Sequence, residues 1–271
     1  MIRLVALSVL AFLLPTQLAF PQIDHGTIIV WMATDKDFVL AADSRATFGP
    51  LLGPTILHPH RDDECKIRAL NDHLLFAVAG PVASRNAHLG WDIRQIAADL
   101  MRDHPVASRA DIDTLARAWA GRVGVLIGQD PLFRGLYSAD PIIKAAFAGS
   151  VGDQRRIHVA EIYLRIAAEV EINIFDPVIG ANVIHIYGSG YEGFTQYVAR
   201  YGSAMFSEPD SAGKPAAGAA LDLDGITRIT YRVAELAIRQ DGPFGTVGGA
   251  IDQAHLNGGG IEWLHQKKNC Q

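Results

Sequence analysis

Apolar residues along this chain come mostly in short runs broken by turn-forming polar residues, the pattern of paired strands, with a few longer stretches at helical spacing. Thr27–Thr34 and Phe38–Asp43 predict two strands joined by the turn Asp35-Lys36-Asp37. Phe48–Glu64, rich in Gly, Pro and His, predicts a loop. Lys66–Leu70 and His73–Ala79 predict a second strand pair around Asn71-Asp72. From Val82 to about Arg102 the residues Ala83, Ala87, Trp91, Ile96, Leu100 and Met101 recur near helical spacing. A second helix is predicted from an N-cap at Asp111 through Val123.

The remainder alternates in the same way. Ala145–Ser150, Arg156–Ala167, Glu169–Phe175 and Asn182–Tyr187 read as strands, and Gly188-Ser189-Gly190 opens a helix to about Tyr201. Gly202–Ala219 has few large apolar residues and reads as an exposed loop. Ile226–Gln240 is a helix with Ile229, Val233, Leu236, Ala237 and Ile238 on or near one face. Ala250–Leu256 and Ile261–His265 flank Asn257-Gly258-Gly259-Gly260, a hairpin signal. Strands, helices, strands, helices and strands in that order suit two antiparallel sheets with helices on their outer faces, an α+β arrangement. No internal repeat or second domain is evident.

The leader breaks the pattern. Arg3 precedes an uncharged apolar run from Leu4 to Leu14, about eleven residues, which is signal-peptide length and too short to cross a bilayer as a helix. The expected division is a signal peptide over residues 1–19, a short propeptide over 20–26 and one domain over 27–271. Export to the periplasm or beyond follows if the signal is real, and a cytoplasmic location otherwise. The alternative for the leader is a propeptide or a start codon placed too early. A net charge of −5 with scattered basic residues gives no general attraction for nucleic acid or anionic membrane. Cys65 and Cys270 allow at most one bridge and no cysteine-rich metal site.

The candidate chemistry begins at Gly26-Thr27. Cleavage there gives Thr27 a free amino group beside its own hydroxyl, so that one residue holds both nucleophile and base. A second apolar run ends in Ala41-Ala42-Asp43-Ser44-Arg45-Ala46-Thr47, and Cys65-Lys66-Ile67 leads through Asn71-Asp72 to Phe76-Ala77-Val78-Ala79-Gly80. Taken alone, Thr27 is a strand former, Asp43 a turn residue, Lys66 a solvated strand charge and Gly80 a turn before Pro81. Ser189 is equally a helix N-cap and Asp241 a helix-ending residue.

Taken together, these residues in this order and spacing resemble the proteasome β-type subunits of the N-terminal-nucleophile hydrolase superfamily, from His25 to His265. The Thr27–Asp43 and Lys66–Gly80 intervals agree with that family without a gap. The resemblance implies a four-layer αββα sandwich and a threonine-type peptidase acting on peptides or unfolded polypeptide through an acyl-enzyme on Thr27. It implies six site residues. Thr27 is the nucleophile with its own amine as base, and Lys66 lowers the Thr27 hydroxyl pKa. Asp43 orients Lys66, the Gly80 N–H stabilises the oxyanion, and Ser189 and Asp241 orient the amine. No metal or organic cofactor is implied, and the partner is a homo-oligomeric ring of copies of the chain. Val78 and Val82 fall where the family lines its specificity pocket, which implies an apolar pocket, while core packing explains two valines equally well.

The sequence departs from the family in three places. Asp241-Gly242-Pro243-Phe244-Gly245-Thr246-Val247 is lengthened, with Val247 where a Ser is usual before Gly248-Gly249, so Thr246 is the candidate replacement hydroxyl. Phe48–Glu64 is longer than in the family, and Ile28 and Ile29 stand where threonines are common. His58, His60, Asp62, Asp63 and Glu64 could ligate a metal, but with Arg61 among them a solvated loop is the simpler reading. Two alternatives remain open: an amidase or acylase of the same superfamily acting on a small exported substrate, and a ring subunit that never matures.

Overall fold

The computed structural model describes residues 23–25, 27–49, 60–84, 90–106, 108–151, 154–165, 169–179, 183–188, 222–241 and 246–270. These form a mixed α+β structure of antiparallel sheets and helices. The first large sheet runs in the order β13 (Ile184–Gly188), β2 (Ile28–Ala33), β3 (Phe38–Ala42), β14 (Asp252–Asn257), β15 (Gly260–His265). The second runs β12 (Val170–Phe175), β11 (Gln154–Leu164), β10 (Ile143–Val151), β7 (Leu74–Ala79), β6 (Ile67–Asn71).

The continuous apolar runs are strands buried on both faces, and the two-residue period sorts each run between two clusters. On β7, Leu74, Phe76 and Val78 join a cluster with α1 (Ile93–Asp103) and α2 (Arg109–Gln129), while Leu75, Ala77 and Ala79 face the other way. On β2, Ile29, Trp31 and Ala33 share that second cluster with Leu75 and Ala77. Ile28, Val30 and Met32 point instead to a third cluster with Ile226, Ile229, Val233 and Ala234 of α3 (Leu223–Asp241). Burying such side chains contributes about 1.5–3 kcal/mol each. Phe76, Phe147 and Trp119 pack with ring centroids 4.9–5.5 Å apart, and Trp119 Nε1 donates to Ile93 O at 2.8 Å.

A third sheet was not expected from the pattern. It runs β5 (His60–Arg61), β4 (Ala46–Gly49), β1 (Ile23–His25), β8 (Ala83–Ser84), β9 (Trp91–Asp92). Part of the predicted 48–64 loop is therefore strand. The strand at its centre precedes Thr27 in the chain. Ile23, Asp24 and His25 pair antiparallel with Gly49, Phe48 and Thr47 on one side, and Ile23 and Asp24 with Ser84 and Ala83 on the other.

The first predicted helix starts later than the spacing suggested. Asp92 caps it, its carboxylate accepting from the backbone N–H groups of Arg94 and Gln95, and the Ala83–Ser84 segment is drawn into strand pairing. The second helix begins before Asp111, which is the third helical residue and the acidic partner of a capping box on Ser108, not the cap. The helix expected after Gly188 and the loop expected over residues 202–219 lie outside the described residues. Cys65 and Cys270 form a disulfide across a sequence separation of 205. Val78 and Val82 are buried among α1, α2 and their sheet, so the apolar specificity pocket expected of them is core packing instead.

Candidate active site

Strand ends from both large sheets meet where the sequence-predicted residues lie. Thr27 immediately precedes β2 and Asp43 immediately follows β3, so antiparallel pairing of these neighbours brings them level: Asp43 N donates to Ile28 O at 3.3 Å. Lys66 immediately precedes β6, and Gly80 follows β7. Thr27, Asp43 and Lys66 are 1%, 0% and 2% exposed.

Asp43 is the centre of the cluster. Its Oδ1 accepts from Lys66 Nζ at 2.7 Å and from the backbone N–H of Ile28, the residue after Thr27, at 2.8 Å. Its Oδ2 accepts from Gly248 N at 2.9 Å and Arg45 N at 3.2 Å. A carboxylate with several donors can exist in a dry site where an unpaired one could not. Burial nevertheless pushes the Asp43 carboxyl above its ordinary value, opposed by the Lys66 charge and by the hydrogen bonds from Lys66, Gly248 and Ile28. Burial likewise lowers the Lys66 ammonium to about 8, with Asp43 pulling it back up.

Glycines let backbone close in around Thr27. Gly80 has φ +107°, and a Cβ there would collide with the carbonyl oxygen of Ile142. Gly188, at φ +104° and opposite Ile28 in the ladder, lies so close to Thr27 that a Cβ would overlap the Thr27 carbonyl oxygen. The same hypothetical Cβ would touch the Ala79 side chain, so Gly188 connects the Thr27 end to the Ala79-Gly80 end.

Asp241, the last residue of α3, reaches the site through its loop. Its Oδ2 accepts from Val247 N at 2.6 Å and from Thr246 Oγ1 at 3.4 Å. The Thr246 hydroxyl thus stands beside the carboxylate it was considered for, and the next residue, Gly248, donates to Asp43. Ser189 lies outside the described residues, as does Gly26.

Several supporting groups were missed from sequence. Arg45, 7% exposed, forms a two-pronged pair with Asp62 at 2.7 and 3.0 Å, while its N–H and that of Ser44 donate to Gly248 O at 3.0 Å. The hydrogen bond from the Arg45 guanidinium holds the Asp62 carboxyl below its usual range. Arg94 of α1 pairs with buried Glu64 at 2.5 Å and with Asp92 at 2.7 Å. Arg61 also contacts Glu64, so this acidic run is spent on arginines rather than aimed at an ion. Nothing in local spacing marks the Arg45–Asp62 and Arg94–Glu64 pairs, which join separate segments 17 and 30 residues apart. The arrangement holds one buried ammonium on the carboxylate that also binds the amide next to Thr27, with Gly188 pressed against the Thr27 carbonyl. No protein-family model matches this chain, and no curated protein sequence matches it either.

Proposed function

We propose that the protein is a threonine-type amide hydrolase resembling a proteasome β-type subunit, built as a four-layer αββα sandwich. The three apolar clusters support the layering: α1 and α2 on one sheet, sheet on sheet, and α3 on the other sheet. The observation that carries the chemistry is the buried Asp43–Lys66 pair bonded to the amide next to Thr27. A lysine at the start of a strand would normally be solvated. One sealed in the interior beside a Thr is a device for lowering a hydroxyl pKa.

In this reading the Gly26–Thr27 bond is broken first, and the new α-amino group, of ordinary pKa about 7.7–8.0, becomes the base. It takes the proton from Thr27 Oγ, through a water, as Oγ attacks the substrate carbonyl. The proton passes to the leaving amine, and water then hydrolyses the Thr27 ester. The Gly80 N–H stabilises the oxyanion, and Asp241 with Thr246 and Ser189 orients the amine. No cofactor takes part.

The leader strand supports a peptide substrate. β1 runs between β4 and β8, hydrogen-bonded on both sides, and it ends one residue before Gly26. An extended peptide laid in its place would gain the same main-chain bonds and present its scissile carbonyl where Gly26 now joins Thr27. The disulfide supports export, because such bridges persist in oxidising compartments. Export in turn favours a second reading of the same site, an amidase or acylase on a small substrate, since ATP-driven unfolding has no fuel there. Assembly into a homo-oligomeric ring rests on the resemblance alone.

Thr27→Ala tests the reading. The purified wild-type chain should have the mass of a protein beginning at Thr27 and hydrolyse peptide or acyl-amide reporters. The variant should retain its leader and lose hydrolysis. Retained hydrolysis in Thr27→Ala refutes the assignment, and a wild-type chain still carrying residues 20–26 favours a ring subunit that never matures. Comparison of peptide with acyl-amide reporters separates peptidase from amidase.

A further inference from the structure

The carboxy-terminal segment lies behind the Asp43–Lys66 pair and touches both of the chain segments that supply it. Lys267 Nζ donates to the carbonyl oxygen of Glu64, two residues before Lys66, at 2.6 Å. The same Nζ pairs with Asp252 Oδ2 at 2.7 Å, and Lys267 N donates to Asp252 Oδ1 at 3.0 Å. Asp252 is 1% exposed and sits directly opposite Ala42 in the β14–β3 ladder, one residue before Asp43. One ammonium therefore ties the backbone leading to Lys66 to the strand alongside Asp43.

Two further features anchor that ammonium. Cys270 is joined to Cys65, the immediate neighbour of Lys66, so the tail cannot leave without breaking a covalent bond. Gln266 Nε2 donates to Cys270 O at 2.7 Å, closing the tail on itself. Residues 62–66 make no regular strand, so ladder bonds do not hold Lys66 in place on its amino-terminal side. There the segment is held by Ser44 Oγ donating to Asp62 O, by Glu64 N donating to Ser44 O, by the Arg45–Asp62 and Arg94–Glu64 pairs, by the bridge at Cys65 and by Lys267.

We propose that Lys267 is a positioning residue for the hydrolytic site, holding the Lys66 and Asp43 segments in register from the side opposite Thr27. The inference rests on the hydrolase reading for its kinetic consequence but not for its geometry. The charged groups around Lys66 are Asp43 after β3, Arg94 on α1 with its partner Glu64, Asp62, and Lys267 on the tail. Lys267 and Arg94 both disfavour the Lys66 ammonium, and Asp43 favours it. Removing the Lys267 charge should make Lys66 hold its proton to higher pH, in addition to loosening its seat.

The test compares Lys267→Met and Lys267→Arg with wild type in the mature chain. Lysine side chains labelled at Cε are titrated by NMR, with the Lys66 signal assigned by its loss in Lys66→Met. Hydrolysis of a peptide reporter is followed from pH 6 to 10. In Lys267→Met the Lys66 midpoint and the alkaline limb of kcat/KM should both move up by roughly half a pH unit, the order set by one unit charge at mid-range separation. kcat/KM at pH 7 should fall roughly tenfold from misplacement. Lys267→Arg should restore both midpoints. A Lys267→Met protein that loses activity evenly at all pH values, with the Lys66 midpoint unmoved, has only lost structure, and the proposal fails. Wild-type protein without hydrolysis but with the midpoint shift intact would refute the hydrolase reading while upholding the positioning role. Should Lys267→Met not fold, Lys267→Gln keeps a donor for Glu64 O, removes the same charge and carries the same criteria.

Discussion

Replacing Asp43 by Ala removes the acceptor for four donors at once: Lys66 Nζ and the backbone N–H groups of Ile28, Arg45 and Gly248. Arg45 N keeps a second acceptor in Gly248 O, so the largest loss is the carboxylate partner of the Lys66 ammonium, 2% exposed. Breaking one side of a buried ion pair costs about 3–5 kcal/mol. For a chain of this size the loss corresponds to a Tm decrease on the order of 10 °C. Lys66→Met leaves Asp43 three backbone donors and should cost less, about 1–3 kcal/mol. The double variant has no charge left to strand, so its cost should fall short of the sum of the singles by about 2 kcal/mol or more. Urea unfolding of the four proteins at one pH measures all three quantities. A double variant that equals the sum of the singles within about 0.5 kcal/mol would show that the two groups do not interact, and the argument for the site would go with it. Under the hydrolase reading all three variants lack activity, so stability and turnover part company in the double variant.

Gly80→Ala places a side chain at φ +107° against Ile142 O and should destabilise by about 2–4 kcal/mol with loss of hydrolysis, read by thermal melts and reporter assay; a wild-type melt would contradict the geometry. The Lys66 pKa is lowered to about 8, below its unfolded value of about 10.4, so its burial penalty is complete below pH 8 and relieved as pH rises toward 10. Activity that needs the ammonium should therefore decline through about pH 8 while this group's contribution to stability rises, checked by kcat/KM and urea midpoints between pH 7 and 10; parallel decline of both would overturn the assignment. Cys65→Ala with Cys270→Ala opens a loop of 205 residues, for which the chain-entropy relation gives about 5 kcal/mol and a Tm loss of roughly 10–20 °C. A change under about 2 °C would mean that the reduced chain is held equally well by the Lys267 contacts.

How much of this was legible beforehand depended on whether the signal was local. The strand pairs around residues 35–37, 71–72 and 257–260 were readable because turn chemistry and two-residue periodicity act over a few neighbours. The helix of residues 223–241 was readable from its apolar stripe. Helix starts were misplaced because caps depend on which side chain reaches which N–H: Asp92 and Ser108 took the roles that spacing had given to Val82 and Asp111. Val78 and Val82 could not be assigned to pocket or core from two letters; the packing of α1 against β7 assigned them to core.

By itself, then, the chain's order of residues determined the strands of the two large sheets and the approximate extent of the described helices, and it put Thr27, Asp43, Lys66 and Gly80 at strand ends. The tertiary structure decided what meets there. β1 entered a sheet between β4 and β8, Cys65 met Cys270, Lys267 came to join Asp252 to Glu64, and Arg94 neutralised Glu64. Those contacts join residues that are tens to hundreds of positions apart, where no periodicity or turn signal reaches. They form only when burial of the three apolar clusters brings the strand ends together and leaves each enclosed charge to find a partner.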